Sequence, residues 1–360
     1  MSTKVLSCLS GGIDSSMATI LLKEQGYDVI TATFRVYDSI SEHCTEKMKG
    51  CCNIESIAEA RYFAKEHGFE HYLLDYRDFF EQTVIRDFVH QYINAKTPNP
   101  CVCCNYYIKW GKVLEFAQSM NCDYMATGHY AQIKKENNRY VLFKGYDKQK
   151  DQSYFLWMLT QEQLSKTLFP LGKMTKNDVR KMAAEKGFNQ LTEKHESQEI
   201  CFVPNNDYRK FIQQHAEYGP EKLPKGNFVT ADGTIVGKHK GIENYTIGQR
   251  KGLGIALGEP YYILKIKKET NEIVLGKYDE LKQNIFCVRD MNWIGASTFY
   301  LHQPVWVKIR YRTKPVHATV VMINDNLCNV FTEEPLYAIT PGQSAVFYDE
   351  DDVLAGGIIC

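Results

Sequence analysis

Residues 10–16 read Ser-Gly-Gly-Ile-Asp-Ser-Ser, and this heptapeptide decides the fold. It follows the apolar run 5–9, which is typical of a buried strand, and precedes residues 17–22, which are typical of a helix. A glycine-rich turn between a strand and a helix N-terminus presents several backbone N–H groups and the positive end of the helix dipole to one point. The context therefore predicts a nucleotide phosphate site, with an ordinary Gly-Gly turn as the alternative.

The side chains of the turn suit phosphate chemistry. Its glycines permit positive φ and close backbone approach, and its serines add hydroxyl donors. Asp14 stands where a carboxylate could hold a metal ion that bridges phosphate oxygens. No lysine follows the glycines, so the G-x-x-x-x-G-K-[ST] phosphate loop is absent. The pattern Ser-Gly-Gly-x-Asp-Ser instead resembles the signature of the ATP pyrophosphatase superfamily, the PP-loop enzymes, whose members attach AMP to a substrate oxygen and release pyrophosphate.

Composition limits the class of protein. The 360 residues include 43 basic and 43 acidic side chains, so any nucleic-acid partner must be recognised by a local basic surface. No run approaches the roughly 18 apolar residues of a membrane helix, and the N-terminus lacks a signal-peptide pattern. We expect a cytoplasmic protein without a membrane partner. Its twelve cysteines then favour metal or redox chemistry over a disulfide scaffold.

Residues 1 to about 145 alternate strand and helix patterns, which predicts a doubly wound parallel sheet within an α/β domain of residues 1–205. Ligands bind at the carboxyl ends of the strands in such sheets. Gly128 and His129 follow an expected strand and should face the same crevice as the phosphate turn, although a purely structural His129 is an equal alternative. Further expected strands and helices lie at 29–34, 54–67, 71–74, 78–94, 123–129 and 175–186.

Residues 96–105 form a loop rich in proline and cysteine. Asn99 is a predicted helix N-cap, with Pro100 at the first helical position. Cys101 then lies in the first turn, where the helix dipole favours the thiolate, and Cys104 shares its helix face. The alternatives are two small apolar side chains or half of a zinc site.

Other cysteines stand in polar surroundings. Cys201 follows the polar segment 196–199, and only the fold could bring it to the cysteine loop. Cys44, Cys51 and Cys52 have a spacing that no standard zinc finger shows. We interpret their segment as a mobile loop with incidental cysteines. Between these cysteine segments, residues 150–156 resemble a charged turn that leads into an aromatic helix.

The composition changes near residue 205, and two further domains are predicted. Residues 206–280 contain the basic, glycine-rich segments 237–241 and 245–254, which could follow a phosphate backbone or form plain hairpin turns. Residues 281–360 show short alternating strands, which predicts a small β-barrel or a sandwich. Within them, the expected strand 305–312 carries its basic side chains and one tryptophan on a single face.

With these motifs in order, the chain resembles tRNA-specific 2-thiouridylases over nearly its whole length. The matching stretches are 10–16, 97–105, 126–130, 151–156, 197–202, 245–254, 310–312 and 340–343. The resemblance implies that ATP activates the C2 oxygen of the wobble uridine, tRNA position 34, as an adenylate. Sulfur then displaces AMP and gives 2-thiouridine in tRNAs for lysine, glutamate and glutamine.

The resemblance also implies roles for individual residues. ATP, with Mg²⁺, would be bound by Cys8, Leu9, Ser10, Gly11, Gly12, Ile13, Asp14, Ser15, Phe34 and Gly128. Asn99, Pro100 and Cys101 would line the target base. Cys104 would be the nucleophile and Cys201 the cysteine that carries a persulfide, supplied by a cysteine desulfurase or a relay protein. Contacts with tRNA would come from His129, Asp151, Gln152, Ser153, Arg310, Tyr311 and Gln343.

One position departs from the family pattern, because many members carry Asp where this chain has Cys101. The three thiols of Cys101, Cys104 and Cys201 could hold a [4Fe–4S] cluster and leave one iron open to bind sulfide. That arrangement is similar to cluster-dependent tRNA thiolation enzymes of the same superfamily. A persulfide route and a cluster route are therefore both open.

Two other functions compete with this interpretation. A superfamily ligase that adenylates a small metabolite would need neither three cysteines nor a tRNA surface. A noncatalytic tRNA-binding protein with zinc would release no pyrophosphate from ATP. The phosphate turn favours an enzyme over the second of these.

Overall fold

The computed structural model describes residues 2–37, 54–192, 200–215, 224–295 and 304–360. The interpretation of Cys44, Cys51 and Cys52 as a mobile loop lies outside the described residues. The chain divides into two compact units. The first contains Met1–Val84, Cys101–Asp207 and Asp351–Val353. The second contains Ile85–Pro100, Tyr208–Glu350 and Leu354–Cys360.

A parallel sheet organises the first unit. The strands of this unit are β1 (Lys4–Cys8), β2 (Asp28–Arg35), β3 (His71–Asp75), β4 (Tyr124–Ala126), β5 (Ala131–Glu136), β6 (Arg139–Lys144) and β7 (Thr167–Leu168). Five of them form one sheet in the order β3-β2-β1-β4-β7, with every adjacent pair parallel. The predicted α/β sheet is confirmed. Because β1 lies between β2 and β4, the crevice for a ligand opens at the carboxyl ends of these strands.

Helices alternate with these strands. In chain order they are α1 (Ile13–Glu24), α2 (Ile54–Glu66), α3 (Arg77–Phe80), α4 (Arg86–Ile93), α5 (Pro100–Cys103), α6 (Leu114–Ser119), α7 (Gln161–Ser165), α8 (Lys176–Glu185), α9 (Asn189–Thr192) and α10 (Tyr208–Gln214). Two π-helical segments, Glu81–Ile85 and Cys104–Val113, continue α3 into α4 and α5 into α6. Short 3₁₀ turns lie at Ser153–Phe155, Pro204–Asn206, Ile242–Asn244 and Tyr278–Leu281.

The hydrophobic core under the phosphate turn joins β1, α1 and α8. Val5 and Leu9 lie in one buried cluster with Met17 and Ala18 of α1 and with Val179 of α8. Burying these side chains contributes about 1.5–3 kcal/mol for each large one. This packing holds α8 beside α1, so the N-termini of both helices are held in place relative to the parallel sheet.

Helix α8 begins and ends where the sequence predicts. Thr175 accepts a hydrogen bond from the Asp178 N–H, and the Asp178 carboxylate accepts one from the Thr175 N–H, which forms a capping box. Gly187, with φ of 81°, follows the helix. The first residue of the helix, Lys176, is only 4% exposed.

Three sequence expectations need correction. The predicted helix 78–94 carries the expected buried stripe, but a π-helical turn interrupts it. The aromatic helix predicted after residue 151 is a single 3₁₀ turn, Ser153–Phe155. The strand predicted at 305–312 ends at Lys308, because the chain turns where the Thr313 N–H donates to the Arg310 carbonyl at 3.2 Å.

The second unit contains a mixed sheet and a barrel. Strands β8 (Gly226–Thr230), β9 (Ile235–His239), β10 (Tyr262–Lys267) and β11 (Glu272–Gly276) form the mixed sheet in the order β10-β11-β8-β9. Its β11–β8 pair is parallel and the other pairs are antiparallel. The barrel strands are β12 (Lys282–Trp293), β13 (Val305–Lys308), β14 (Val316–Asn324), β15 (Leu327–Tyr337), β16 (Ser344–Asp349) and β17 (Asp352–Ile359).

The barrel closes on itself. Its strands follow the order β12-β15-β14-β13-β16-β17, and β12 also pairs with β17. Closure removes the exposed edges that an open sheet would present. A β-barrel is therefore confirmed over a sandwich. No helix among the residues that the structure describes is both long and apolar enough to cross a membrane.

Candidate active site

The phosphate turn is held by its own backbone and hydroxyl groups. The Ser10 N–H donates to the Ser15 hydroxyl at 3.1 Å, and that hydroxyl donates to the Gly12 carbonyl at 3.0 Å. Gly12 is the N-cap of α1 and contributes no side-chain acceptor to the helix N-terminus. In the described part of the chain, the buried Ser16 hydroxyl has no hydrogen-bond partner. The turn is thus preorganised, with donors available to an anion.

Two glycines allow the backbone to pack closely here. Gly11 has φ of +72°, and a Cβ on it would lie 2.6 Å from the Ser56 carbonyl oxygen. Gly128 follows β4, and a Cβ there would lie 2.9 Å from both the Asp14 carbonyl carbon and the Ser15 nitrogen. The structure therefore brings Gly128 directly against the turn.

The carboxylate of Asp14 has two partners from distant parts of the sequence. The Lys176 ammonium lies 2.7 Å from each of its oxygens. The Tyr130 hydroxyl donates to Oδ1 at 2.7 Å. The Asp14 side chain is 33% exposed, whereas that of Lys176 is 6% exposed. A buried cation and a partly open anion thus stand together at the turn.

Cys8, Leu9 and Phe34 lie at or near the ends of β1 and β2 and are uncharged, and the first two are buried. Cys8 ends β1, and burial raises the pKa of its thiol to about 12, so it stays protonated. Leu9 donates its N–H to the Ala32 carbonyl at 2.8 Å and accepts from the Thr33 hydroxyl at 2.5 Å. Phe34, near the end of β2, remains partly exposed.

His129 is a neutral group in this site. Burial, with a further contribution from the charge of Lys109, lowers the pKa of His129 well below its ordinary value. The Lys109 ammonium donates to Nε2 at 3.3 Å, which leaves the proton on Nδ1 to donate to the Thr127 hydroxyl at 2.7 Å. Trp110 and Phe169 pack around the ring. A neutral imidazole can accept or donate a hydrogen bond but supplies no charge to a phosphate.

The cysteine loop enters a π-helix. Cys101 is exposed and lies in α5, while Cys104 is partly exposed and begins the ten-residue π-helix Cys104–Val113. Trp110 anchors this segment, since its indole N–H donates to the Thr167 hydroxyl at 2.6 Å. Asn105 donates to the Phe155 carbonyl at 2.9 Å. π-Helical turns are rare and frequently mark functional sites.

Aromatic contacts anchor Cys201. The thiol is partly exposed, and the neighbouring Phe202 packs edge-on against Phe80, with ring centroids 5.4 Å apart. Phe202 also contacts Tyr37, which follows β2, at 6.4 Å. Lys109 of the other cysteine segment contacts His129, which follows β4. Both cysteine segments are therefore attached at the carboxyl edge of the sheet that carries the phosphate turn.

The thiols of Cys101, Cys104 and Cys201 are the expected ligands of a cluster. Among the described residues, which include Cys101, Cys104 and Cys201, no group of three or more His, Cys, Asp or Glu side chains is placed so that it could hold a metal ion. The three thiols thus do not form a ready ligand set for a [4Fe–4S] cluster, and we derive no chemical step through one.

The expected tRNA contacts at residues 151–153 are largely internal. Asp151 and Ser153 are buried, and the Asp151 carboxylate accepts from the Gly145 N–H at 3.0 Å and from the Ser153 N–H and hydroxyl. Gln152 accepts from the Tyr130 N–H at 3.0 Å and donates its own N–H to the Tyr130 carbonyl at 2.9 Å. Gln152 therefore positions the backbone of Tyr130, whose hydroxyl binds Asp14.

In the second unit, Gln343 holds the loop before the cysteines. Its amide nitrogen donates to the Thr97 carbonyl at 2.9 Å and to the Pro98 carbonyl at 3.0 Å. The Thr97 N–H donates to the Pro341 carbonyl at 2.8 Å. Asn99, which follows directly, is partly exposed. The barrel turn around Gln343 therefore sets the backbone of the segment that the resemblance assigns to the target base.

Arg310 is also an internal brace. Its guanidinium donates to the Ala338 carbonyl at 2.9 Å, to the Ile247 carbonyl at 3.4 Å and to the Thr340 hydroxyl. Tyr311 is partly exposed, and the Lys308 ammonium lies 5.3 Å from its ring centroid. The basic surface expected in the middle of the chain does face solvent. Its exposed cations are Lys238, Lys240, Arg250 and Lys251.

Sequence reasoning assigned no role to Lys109, Tyr130 or Lys176. The sequence did contain one indication of a role for Lys176, because a cation at the first position of a helix opposes the helix dipole. Such a lysine is favourable only where an anion elsewhere compensates it. The sequence could not show that this anion is Asp14, which lies 162 residues earlier.

Comparison with known proteins gives consistent matches over the chain. The family model described as the tRNA methyl transferase HUP domain matches residues 3–205. The tRNA methyl transferase PRC-barrel domain matches 209–277, and the aminomethyltransferase beta-barrel domain matches 283–359.

Full-length relatives carry one shared name, tRNA-specific 2-thiouridylase MnmA. The Cytophaga hutchinsonii protein is 46% identical over 357 residues, which cover 99% of this chain and 97% of that protein. The Carboxydothermus hydrogenoformans protein is 45% identical, with 99% and 97% covered. Among solved structures, one match is a predicted subunit of tRNA methyltransferase from Methanocaldococcus jannaschii, which is 18% identical. The match covers 66% of this chain and 98% of that one, with a TM-score of only 0.32.

Proposed function

The chain belongs to the tRNA-specific 2-thiouridylase family, and we propose that it replaces the C2 oxygen of the wobble uridine, tRNA position 34, by sulfur. It is an ATP-dependent tRNA sulfurtransferase. The observation that carries the proposal is one sheet edge that holds both a preorganised phosphate turn and two separate cysteine segments. We infer that tRNAs for lysine, glutamate and glutamine are the substrates.

The first step is activation of the base. The uridine C2 oxygen attacks the α-phosphorus of ATP, a new O–P bond forms, and pyrophosphate leaves. Without this step C2 is a poor electrophile, because its oxygen is a poor leaving group. The amides at the start of α1 and the hydroxyl groups of the turn stabilise the charge on the phosphates. Gly128 keeps the β4 loop close enough to complete the site.

The second step transfers sulfur. A donor protein, a cysteine desulfurase or a relay, leaves a persulfide on Cys201. Its terminal sulfur forms a bond with C2, and AMP leaves with the original C2 oxygen. The Cys104 thiolate then attacks the Cys201 Sγ and breaks the S–S bond, which releases 2-thiouridine. A Cys104–Cys201 disulfide remains, and a dithiol reductant restores both thiols with two electrons.

The family also implies Mg²⁺ with ATP. Asp14 is the carboxylate of the turn, and Mg²⁺ is usually bound by one or two carboxylates together with substrate phosphates. Its oxygens fit that role once the Lys176 ammonium moves aside. When bound, Mg²⁺ would neutralise phosphate charge. We propose that Asp14 holds the ion and that Tyr130 keeps the carboxylate oriented.

The target base and the tRNA backbone involve separate groups. We propose that Asn99, Pro100 and Cys101 line the flipped base, since a stacked anticodon base is inaccessible to either step. The exposed basic side chains between residues 238 and 251 suit the phosphate backbone. Arg310 and Gln343 act as braces in the second unit, and Tyr311 remains as a contact with tRNA.

Nucleoside analysis tests the function directly. Purified protein is incubated with ATP, unmodified tRNA and a sulfide or persulfide source, and the digested tRNA is analysed by mass spectrometry. We expect 2-thiouridine together with AMP and pyrophosphate. Cells that lack the protein should likewise lose 2-thiouridine from these tRNAs. A product that carries a methyl group, or turnover of ATP with a small metabolite and no tRNA, contradicts the proposal.

Whether sulfur transfer uses a [4Fe–4S] cluster is tested by measuring bound iron together with activity. Anaerobically purified protein is assayed for iron, acid-labile sulfide and activity together. Thiolation by protein free of iron supports the thiol route. Activity that rises in proportion to bound iron would instead assign Cys101, Cys104 and Cys201 to a [4Fe–4S] cluster.

A further inference from the structure

The phosphate turn lacks a lysine of its own, yet a lysine reaches it from another helix. The residue is Lys176, whose ammonium lies 2.7 Å from both oxygens of Asp14. Asp14 belongs to the first turn of α1, where anions are stabilised by the helix N-terminus. The positive charge therefore stands at the mouth of the predicted triphosphate site rather than in a remote part of the core.

The position of Lys176 is energetically unfavourable for a residue with only a structural role. A cation at the first position of a helix opposes the dipole of that helix, and its side chain is almost wholly removed from water. The lysine backbone is fixed as well, because its N–H donates to the Asp147 carboxylate at 2.9 Å. The side chain thus extends from a rigid base towards Asp14.

The arrangement of charges allows Asp14 and Lys176 each to take a new partner when a nucleotide binds. Asp14 is 33% exposed and has a second hydrogen bond, from Tyr130, that keeps it in place without the lysine. A nucleoside triphosphate brings several negative charges, and its Mg²⁺ needs a carboxylate ligand. Both demands are met if the ammonium turns to a phosphate oxygen and the carboxylate to the metal.

We propose that Lys176 is the phosphate-binding cation of this turn, and that its ammonium passes from Asp14 to ATP when Mg²⁺–ATP binds. The proposal rests on the proposed function of the turn as an ATP site. In the empty protein, Asp14 stabilises the buried lysine and keeps it aimed at the site. In the complex, Lys176 and Mg²⁺ share the phosphate charge, and Lys176 takes the part that a phosphate-loop lysine plays elsewhere.

Calorimetry on the full chain tests the proposal without requiring turnover. Binding of ATP and of adenosine is measured for the wild type and for Lys176→Met, each with and without Mg²⁺. We expect Lys176→Met to weaken ATP binding about tenfold to a hundredfold, as for loss of a charged hydrogen bond, and to change adenosine binding less than about twofold. Lys173→Met, at an exposed position three residues earlier, is the matched control and should bind both normally.

A second pair of variants covers loss of folding. Lys176→Met/Asp14→Asn removes both charges and avoids leaving a lone carboxylate, so it should remain folded while binding ATP weakly. Asp14→Asn alone should abolish the gain in affinity that Mg²⁺ gives, whereas Lys176→Met should retain that gain. If Lys176→Met unfolds at a lower temperature yet binds ATP within twofold of the wild type, the lysine is a strut and the proposal is wrong.

The two proposals fail in different ways. A wild-type protein that binds no ATP at all overturns the proposed function and the role of Lys176 together. A wild type that binds ATP and makes 2-thiouridine, with a Lys176→Met variant that does both equally well, overturns only the inference about the lysine.

Discussion

The phosphate turn and the cysteine segments share one sheet edge but are held by different forces. Hydrogen bonds between near neighbours, such as Ser10 with Ser15, fix the turn. The cysteine segments depend on aromatic packing between distant residues, as in the contact of Phe202 with Phe80. The difference teaches that the backbone shape of the turn is set largely by its own residues, whereas the position of the thiols depends on the tertiary fold.

The largest expected effect breaks the sulfur side of this comparison. Cys201→Ser should reduce formation of 2-thiouridine by at least about 10³-fold, because a hydroxyl cannot carry the transferable sulfur. ATP binding by the turn should stay unchanged. Nucleoside mass spectrometry and calorimetry measure the two effects.

Cys103→Ser is the matched control for the same assays. Cys103 is the last residue of α5, directly before Cys104, and is partly exposed, but neither step of the proposed chemistry uses it. It should retain most of the activity. An active Cys201→Ser variant, or a Cys103→Ser variant as inactive as it, would contradict the assignment of the thiols.

A glycine substitution tests the rigidity of the nucleotide side. Gly128→Ala places a Cβ 2.9 Å from backbone atoms of Asp14 and Ser15, so it should lower the free energy of unfolding by about 1–3 kcal/mol. The same clash should displace the turn and weaken ATP binding. Urea unfolding and ATP titration measure these changes.

Gly12→Ala sharpens the same test. Its Cβ would meet only the Ser10 hydroxyl at 3.7 Å, an ordinary contact, and Gly12 has φ of −96°. Its unfolding free energy should therefore stay within about 0.5 kcal/mol of the wild type. Equal destabilisation by both variants would mean that close packing at Gly128 does not help to hold the turn.

A smaller effect is expected from the brace in the second unit. Gln343→Ala removes two hydrogen bonds to the Thr97 and Pro98 carbonyls, which should lower kcat/KM for tRNA about tenfold. ATP affinity should not change, and Gln149→Ala, at an exposed position of the first unit, should have no effect. A Gln343→Ala variant with a normal kcat/KM for tRNA would mean that its hydrogen bonds to Thr97 and Pro98 have no role in tRNA binding.

The smallest effect concerns pH. Burial, with a contribution from Arg61, lowers the pKa of His71 to about 4, and the pKa of His129 is also lowered. Below pH 6.5 the unfolded chain binds protons at these positions that the folded chain does not bind, so the free energy of unfolding should fall as pH drops from 6.5 towards 4. Above 6.5 this contribution is constant.

Urea unfolding at several pH values measures this slope, and His71→Asn is the control. The variant removes one titrating group and should show a shallower decline below pH 6.5. An unchanged slope would assign the pH dependence to other residues.

The sequence predicted the parts of the fold that depend on neighbours in the chain. The turn at residues 10–16, the capped helix α8 and the buried stripe from Phe80 to Tyr92 follow from local spacing, and all are confirmed. The π-helix at Cys104–Val113 was not foreseen, because its hydrogen-bond pattern depends on packing such as that of Trp110 with Thr167. The same holds for the strand that ends early at Lys308.

Roles within the site were less predictable than its location. The partners of Asp14 and the internal bonds of Asp151 and Arg310 join residues far apart in sequence. The family resemblance assigned tRNA contacts to Asp151 and Arg310, and in the structure both side chains hydrogen-bond to the protein's own backbone. Their contact with tRNA stays a prediction. The division of labour among the cysteines stays a prediction until the thiol and iron assays are made.

The hydrogen bond from Gln343 to Thr97 spans 246 residues of sequence and has a consequence for biosynthesis. Ribosomes make the chain from its N-terminus, so the segment before Asn99 emerges long before the barrel turn that holds it. The hydrogen bonds of Gln343 to the Thr97 and Pro98 carbonyls can therefore form only after residue 343 has been made, so the backbone before Asn99 is fixed late in synthesis.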